Sequence, residues 1–122
     1  MTTLARAILF VKDLERMTAF YGDALGLALV PERSSEGWAE LEAGGATLAL
    51  HAIPPHIAKS IRIGTPPAPR SEAPTKLAFA VSDLDAARAR LVALGAKMAE
   101  PSSWGSCDGV DLEGNVFQIV KS

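Results

Sequence analysis

Two stretches of this chain repeat one pattern of apolar and polar positions. Arg6-Ala7-Ile8-Leu9-Phe10-Val11-Lys12-Asp13-Leu14-Glu15 lines up with Lys76-Leu77-Ala78-Phe79-Ala80-Val81-Ser82-Asp83-Leu84-Asp85, about 70 positions later. Each copy reads as a basic residue, an apolar run of strand length, then Asp-Leu-acid. The likeness continues through Ala24-Leu25-Gly26 against Ala93-Leu94-Gly95, and through Gly45 to Leu50 against Gly114 to Ile119. A period this long exceeds that of ordinary solenoids, so the chain reads as a tandem duplication.

Within each copy the apolar run ends at an aspartate whose carboxylate can accept the free N–H groups of a helical first turn. Asp13 and Asp83 are these caps. After Asp13, Leu14, Met17, Phe20, Tyr21, Ala24 and Leu25 recur at helical spacing, and Gly26 supplies a left-handed stop. After Asp83 the series is Leu84, Ala87, Leu91 and Leu94, then Gly95. Short runs bounded by turn residues predict three more strands per copy. They span 27–33, 38–42 and 46–52 in the first, and 97–99, 106–110 and 116–121 in the second. Each copy is therefore a βαβββ unit.

The segment from His51 to Thr75 carries six of the eight prolines. Proline lacks a backbone donor and fixes its φ, which argues against regular helix or central strand and for a stiff, extended path. The expected organisation is one domain over 1–122, with module one at 4–52, a proline-rich linker at 53–74 and module two at 75–122. The fold class is α+β, two tandem modules forming a cupped mixed sheet with helices on the outer face.

Strand parity sorts the side chains. Leu77, Phe79 and Val81 share one face, and Lys76, Ala78 and Ala80 the other. The last strands divide Phe117 and Ile119 from Val116, Gln118 and Val120, and Leu48 and Leu50 from Thr47, Ala49 and His51. Bulky apolar residues on one register suit a face covered by a helix, and small or polar ones on the other suit a cavity wall. By the same parity Arg6, Ile8 and Phe10 face the cavity, as do Trp38 and Glu40 on the third strand.

Composition narrows the partners. With 48% hydrophobic residues the chain can build a continuous core, and a formal net charge of −2 offers no footprint for nucleic acid or an anionic membrane. The first eleven residues match neither a secretory signal nor a membrane span, so a cytoplasmic location is the expectation. The single cysteine, Cys107, makes no internal disulfide and reads as a small buried apolar residue.

The segment Leu9 to Arg16 with Phe20-Tyr21 and Leu25-Gly26-Leu27 resembles the opening motif of the vicinal oxygen chelate superfamily, which contains glyoxalases, bleomycin resistance proteins and extradiol dioxygenases. Asp111-Leu112-Glu113-Gly114-Asn115 resembles its closing Asp-Pro-Asp/Glu-Gly-Asn turn, with Leu112 in the usual place of proline. Trp104-Gly105 upstream also fits. The resemblance covers nearly the whole chain and implies the paired βαβββ fold and a homodimer. It also implies four metal-ligand places in metal-using relatives, which fall here on Arg6, Ala49, Lys76 and Gln118. Arginine and lysine keep their protons and alanine has no donor atom, which leaves only Gln118, too weak a ligand alone, so no metal or other cofactor is expected.

The substitution has a direction, because cations stand where a cation would bind. If Arg6 and Lys76 point inward they can hold a carboxylate or phosphate. The competing reading sends both charges to water, or pairs Arg6 with Glu40. His51 is a candidate acid or base with Glu40 as its orienting partner, or else a hydrogen-bonded strand-end residue. Trp38 and Phe10 suit stacking on a planar ligand as well as core packing. His56 is expected at the surface, Trp104 is expected to anchor its loop, and Glu15, Asp23 and Asp85 read as solvated charge.

Three functions follow. The leading one is a glyoxalase/bleomycin-resistance-like, metal-independent binder of an anionic or planar organic molecule, with Arg6, Ile8, Phe10, Trp38, Glu40, Ala49, His51, Lys76 and Gln118 as its ligand-binding residues and no assigned catalytic residue. The alternative is a lyase, isomerase or dioxygenase of the glyoxalase type with an altered metal site, recruiting His51 and Glu40. The third is a non-catalytic interaction module whose cup is filled by Ile8 and Phe10.

Overall fold

The computed structural model describes residues 4–70 and 75–122, so 71–74 of the expected linker and the first three residues lie outside the described residues. The chain divides into two compact units, Met1–Ile61 and Arg62–Ser122, and the division falls inside the proline-rich stretch.

The first unit holds β1 (Ala7–Val11), α1 (Leu14–Leu25), β2 (Ala28–Leu29), β3 (Trp38–Glu42), β4 (Thr47–Ala52) and a single helical turn α2 (Pro55–Ala58). Its sheet is ordered β1-β4-β3-β2. β1 runs parallel to β4, and β3 pairs antiparallel with both β4 and β2. Asp13 caps α1 by accepting the Arg16 N–H at 3.0 Å, and Gly26 ends it at φ 70°. The helix lays Met17, Phe20, Tyr21 and Ala24 onto β3 and β4, where Leu41, Leu48 and Leu50 are buried.

The second unit repeats this plan with β5 (Leu77–Val81), α3 (Leu84–Ala93), β6 (Lys97–Met98), β7 (Ser106–Val110) and β8 (Val116–Lys121), ordered β5-β8-β7-β6. Asp83 caps α3 through the Ala86 N–H at 3.0 Å. Ala87 and Leu91 are buried where α3 packs on the sheet, as are Phe117 and Ile119, and Leu94 is exposed, although its spacing places it on the core face.

Three expected elements are corrected. The strand predicted over 27–33 is only Ala28–Leu29, because Pro31 starts a 3-10 turn over Pro31–Arg33. The strand predicted over 97–99 stops at Met98. The proline-rich stretch contains regular helix after all, since Pro55 sits in the first turn of α2, where a missing N–H costs nothing.

Candidate functional site

Strand pairing sets the helix-free face of the first sheet in rows. Phe10, His51 and Trp38 are register partners across β1, β4 and β3, and Ile8, Ala49 and Glu40 form the next row. In the first row the His51 ring lies 5.4 Å from both the Phe10 and the Trp38 ring centroids, making an aromatic strip three strands wide. Phe10 is 56% exposed and Ile8 43%, which is costly for large apolar side chains unless something covers them.

Under the strip sits Glu40, 6% exposed. Its carboxylate accepts Trp38 Nε1–H at 2.9 Å and Arg33 Nε–H at 3.0 Å, and Arg6 Nε lies 4.0 Å away. The Trp38 bond, then the Arg33 bond, hold Glu40 below the ordinary glutamate range against the effect of burial. The Ser34 hydroxyl also accepts the Glu40 backbone N–H. Arg33 reaches Glu40 because the 3-10 turn at Pro31 brings the chain back over β3. Arg6 lies over the Trp38 ring, 5.9 Å from its centroid. Glu40 is thus the anchor that fixes the indole plane, and it is ionised and fully engaged.

The second unit carries the same ionic plan with different contacts. Asp108 on β7 occupies the place that Glu40 has on β3, opposite Gln118 where the first unit has Ala49. It accepts Gln118 Nε2–H and Lys76 Nζ–H, both at 3.1 Å, and these two bonds in that order lower its pKa. The aromatic row has no counterpart, since Ala80, Val120 and Ser106 stand in its place.

The structure brings Arg6, Ile8, Phe10, Trp38, Glu40, Ala49 and His51 together on one face of the first unit, with Ala49 wholly buried beneath its neighbours. Lys76 and Gln118 share one carboxylate in the second unit. That carboxylate, Asp108, escaped the sequence reading, although parity on 106–110 and the duplication both point to it. Arg33 escaped because 27–33 read as strand. Glu40 serves Trp38 rather than His51, so no orienting partner for a histidine base emerges from it. Trp104 does not anchor its loop and is 75% exposed. Cys107 is buried as expected, its Sγ 3.1 Å from the Ala99 carbonyl oxygen, and burial pushes its thiol up.

The glyoxalase-like domain family matches residues 6–120. The chain belongs to that family. Solved structures share the fold of this glyoxalase-like protein. A glyoxalase/bleomycin resistance protein/dioxygenase family enzyme from Burkholderia phytofirmans PsJN is similar over 96% of both chains, with 21% identity and a TM-score of 0.73. The fosfomycin resistance protein FosX from Mesorhizobium loti is similar over 100% of this chain and 93% of its own, with 19% identity and a TM-score of 0.74. A mutant FosX from Listeria monocytogenes, complexed with Mn(II) and 1S,2S-dihydroxypropylphosphonic acid, covers 98% and 90%, with 20% identity and a TM-score of 0.73. At these identities the likeness shows the fold. No curated protein sequence matches.

In this glyoxalase-like protein no group of three or more His, Cys, Asp or Glu side chains comes together to hold a metal ion among the described residues. Nor is any helix among them long and apolar enough to cross a membrane.

Proposed function

We propose that this glyoxalase-like protein is a metal-independent small-molecule binder whose first unit stacks a planar organic ligand on Phe10, His51 and Trp38. The observation that carries this reading is the three-ring row, exposed at Phe10 and His51 and half-buried at Trp38, with its indole held by Glu40 before any ligand arrives. A pre-set aromatic surface saves the ordering cost of binding, and each ring contact contributes beyond the area it buries. The metal-free part rests on donor chemistry, since Arg6, Ala49 and Lys76 offer no ligand atom and the Gln118 carbonyl oxygen is one donor where a catalytic metal site takes three. A metal-dependent glyoxalase-type enzyme finds no donor set there.

The preference for an anion rests on Arg6. Its guanidinium is half-exposed and its 4.0 Å separation from Glu40 is too long for a hydrogen bond, so a ligand carboxylate can take up its donors. Lys76 is already bonded to Asp108 and contributes less. The same reading has the protein act as a cytoplasmic homodimer, and sedimentation of the purified chain tests the dimer.

Trp38 fluorescence reads the proposal directly once Trp104, the other tryptophan, is replaced by Phe. In that background, with chelator present, 2-naphthoate is expected to quench Trp38, and Phe10→Ala is expected to weaken binding about tenfold, the worth of one stacked ring. Arg6→Met should weaken naphthoate more than the uncharged naphthamide. Quenching that requires added Mn(II) or Zn(II) would overturn the metal-free reading, and quenching indifferent to Phe10→Ala would overturn the stacking one.

A further inference from the structure

We propose that the second unit holds a pocket of its own for an amphipathic organic anion, an apolar chain ending in a carboxylate. The pocket is built wholly from residues of that unit and does not rest on the aromatic row. Its volume is about 610 Å³, within the usual range of small-molecule sites. One wall is the proline-rich segment 66–69. The others are Met98, Val110, Val116 and Phe117, at the end of the sheet where β5 and β8 begin and β7 ends.

The proline wall is fixed in place by the turn before β8. Arg70 N–H donates to the Gly114 carbonyl at 3.3 Å, and its Nη2 donates to Asn115 Oδ1 at 3.2 Å. Gly114 has φ 88°, and a Cβ there would stand 2.6 Å from the Ala68 carbonyl oxygen, so only glycine lets the segment come this close. On the opposite side Met98 lies across Gly109, whose missing side chain leaves room for the thioether beside the Phe117 ring. A stiff proline wall and a polarisable methionine make a surface that receives an alkyl chain without first being ordered.

Charge selects the end group. Lys76, Lys97 and Asp108 line the pocket. Asp108 is satisfied by Lys76 and Gln118. Lys97 has no ion-pair or side-chain hydrogen-bond partner among the described residues. The pocket thus presents one surplus positive charge at the rim of an apolar cavity, which fits a single carboxylate on an apolar body.

Nitrogen-edited amide NMR with sodium octanoate and 1-octanol as probes tests this. Both are expected to shift the amides of Met98, Val110, Val116 and Phe117, octanoate at lower concentration. Lys97→Gln should weaken octanoate about fivefold, the upper worth of an exposed ion pair, and leave 1-octanol unchanged. Val116→Trp, which fills the pocket, should abolish both in a protein whose other resonances persist. Trp38→Ala should leave octanoate affinity as it is. Equal losses for both probes in Lys97→Gln, or octanoate shifts confined to the first unit and lost in Trp38→Ala, would overturn the pocket while leaving the stacking reading standing.

Discussion

Asp111→Ala is expected to destabilise the protein by about 3 kcal/mol, because it strands two or more buried donors at roughly 1–3 kcal/mol each. Asp111 is fully buried in the turn between β7 and β8. Its Oδ1 accepts the backbone N–H groups of Glu113 and Asn115, each at 2.9 Å, and its Oδ2 accepts Asn115 Nδ2–H at 2.9 Å. This side chain stands in for the backbone acceptors that the turn cannot supply. Asn115, held by Asp111, in turn receives Arg70, so the loss should propagate to the segment 66–70. Asp111→Asn keeps the Oδ1 acceptor for the two backbone donors but sets an NH2 against Asn115 Nδ2–H, so it should cost less than Asp111→Ala without being neutral. Chemical denaturation of the two variants beside the parent checks this, and a loss below about 1 kcal/mol in Asp111→Ala would mean that water satisfies the donors.

Glu40→Gln is expected to change both the acid sensitivity of the fold and the affinity of the aromatic row. Glu40 titrates below the ordinary glutamate range in the folded state, so its ionised form favours folding. That contribution is complete above the unfolded value of about 4.3 and is lost as pH falls through the lower folded value. Melting curves of parent and variant should therefore lie a constant distance apart above about pH 5 and converge below about pH 4. Coincident curves at every pH would show that the Trp38 and Arg33 bonds add nothing to the ionised form. Trp38 and Arg33 donate to different oxygens of Glu40, so the single acceptor oxygen of a glutamine keeps Trp38 only by setting its NH2 against the Arg33 donor. The indole plane loosens, and planar ligands should bind less tightly even though no ring has been removed.

The duplication carried most of the fold into view before any coordinates. Asp13 and Asp83 cap their helices where the repeat aligns them, and strand parity separated Leu48 and Leu50 from Ala49 and His51 correctly, because a pleated strand leaves a side chain only two directions. What stayed hidden depends on side-chain contacts that neither the repeat nor strand parity supplies. Arg33 reaches Glu40 only through a 3-10 turn that reads as strand until Pro31 is given its full weight. Asp108 lies on the short strand 106–110, whose faces went unsorted in the sequence. Whether Arg6 and Lys76 carry free or partnered charge was undecidable without the carboxylates at Glu40 and Asp108, and those lie on the third strand of each unit, far along the chain. Trp104 matched a motif, yet motif position says nothing of what a side chain rests against.

Cys107 closes the second sheet in a way that bears on how this protein can be studied. A thiol buried on β7, pointed at the Ala99 carbonyl and shifted away from its reactive thiolate form, is a chemical clock already installed. Labelling reagents reach it only when the edge of the second sheet opens. Since the sequence has no other thiol to blur the signal, the rate of modification reports the opening of that one region in the unaltered protein.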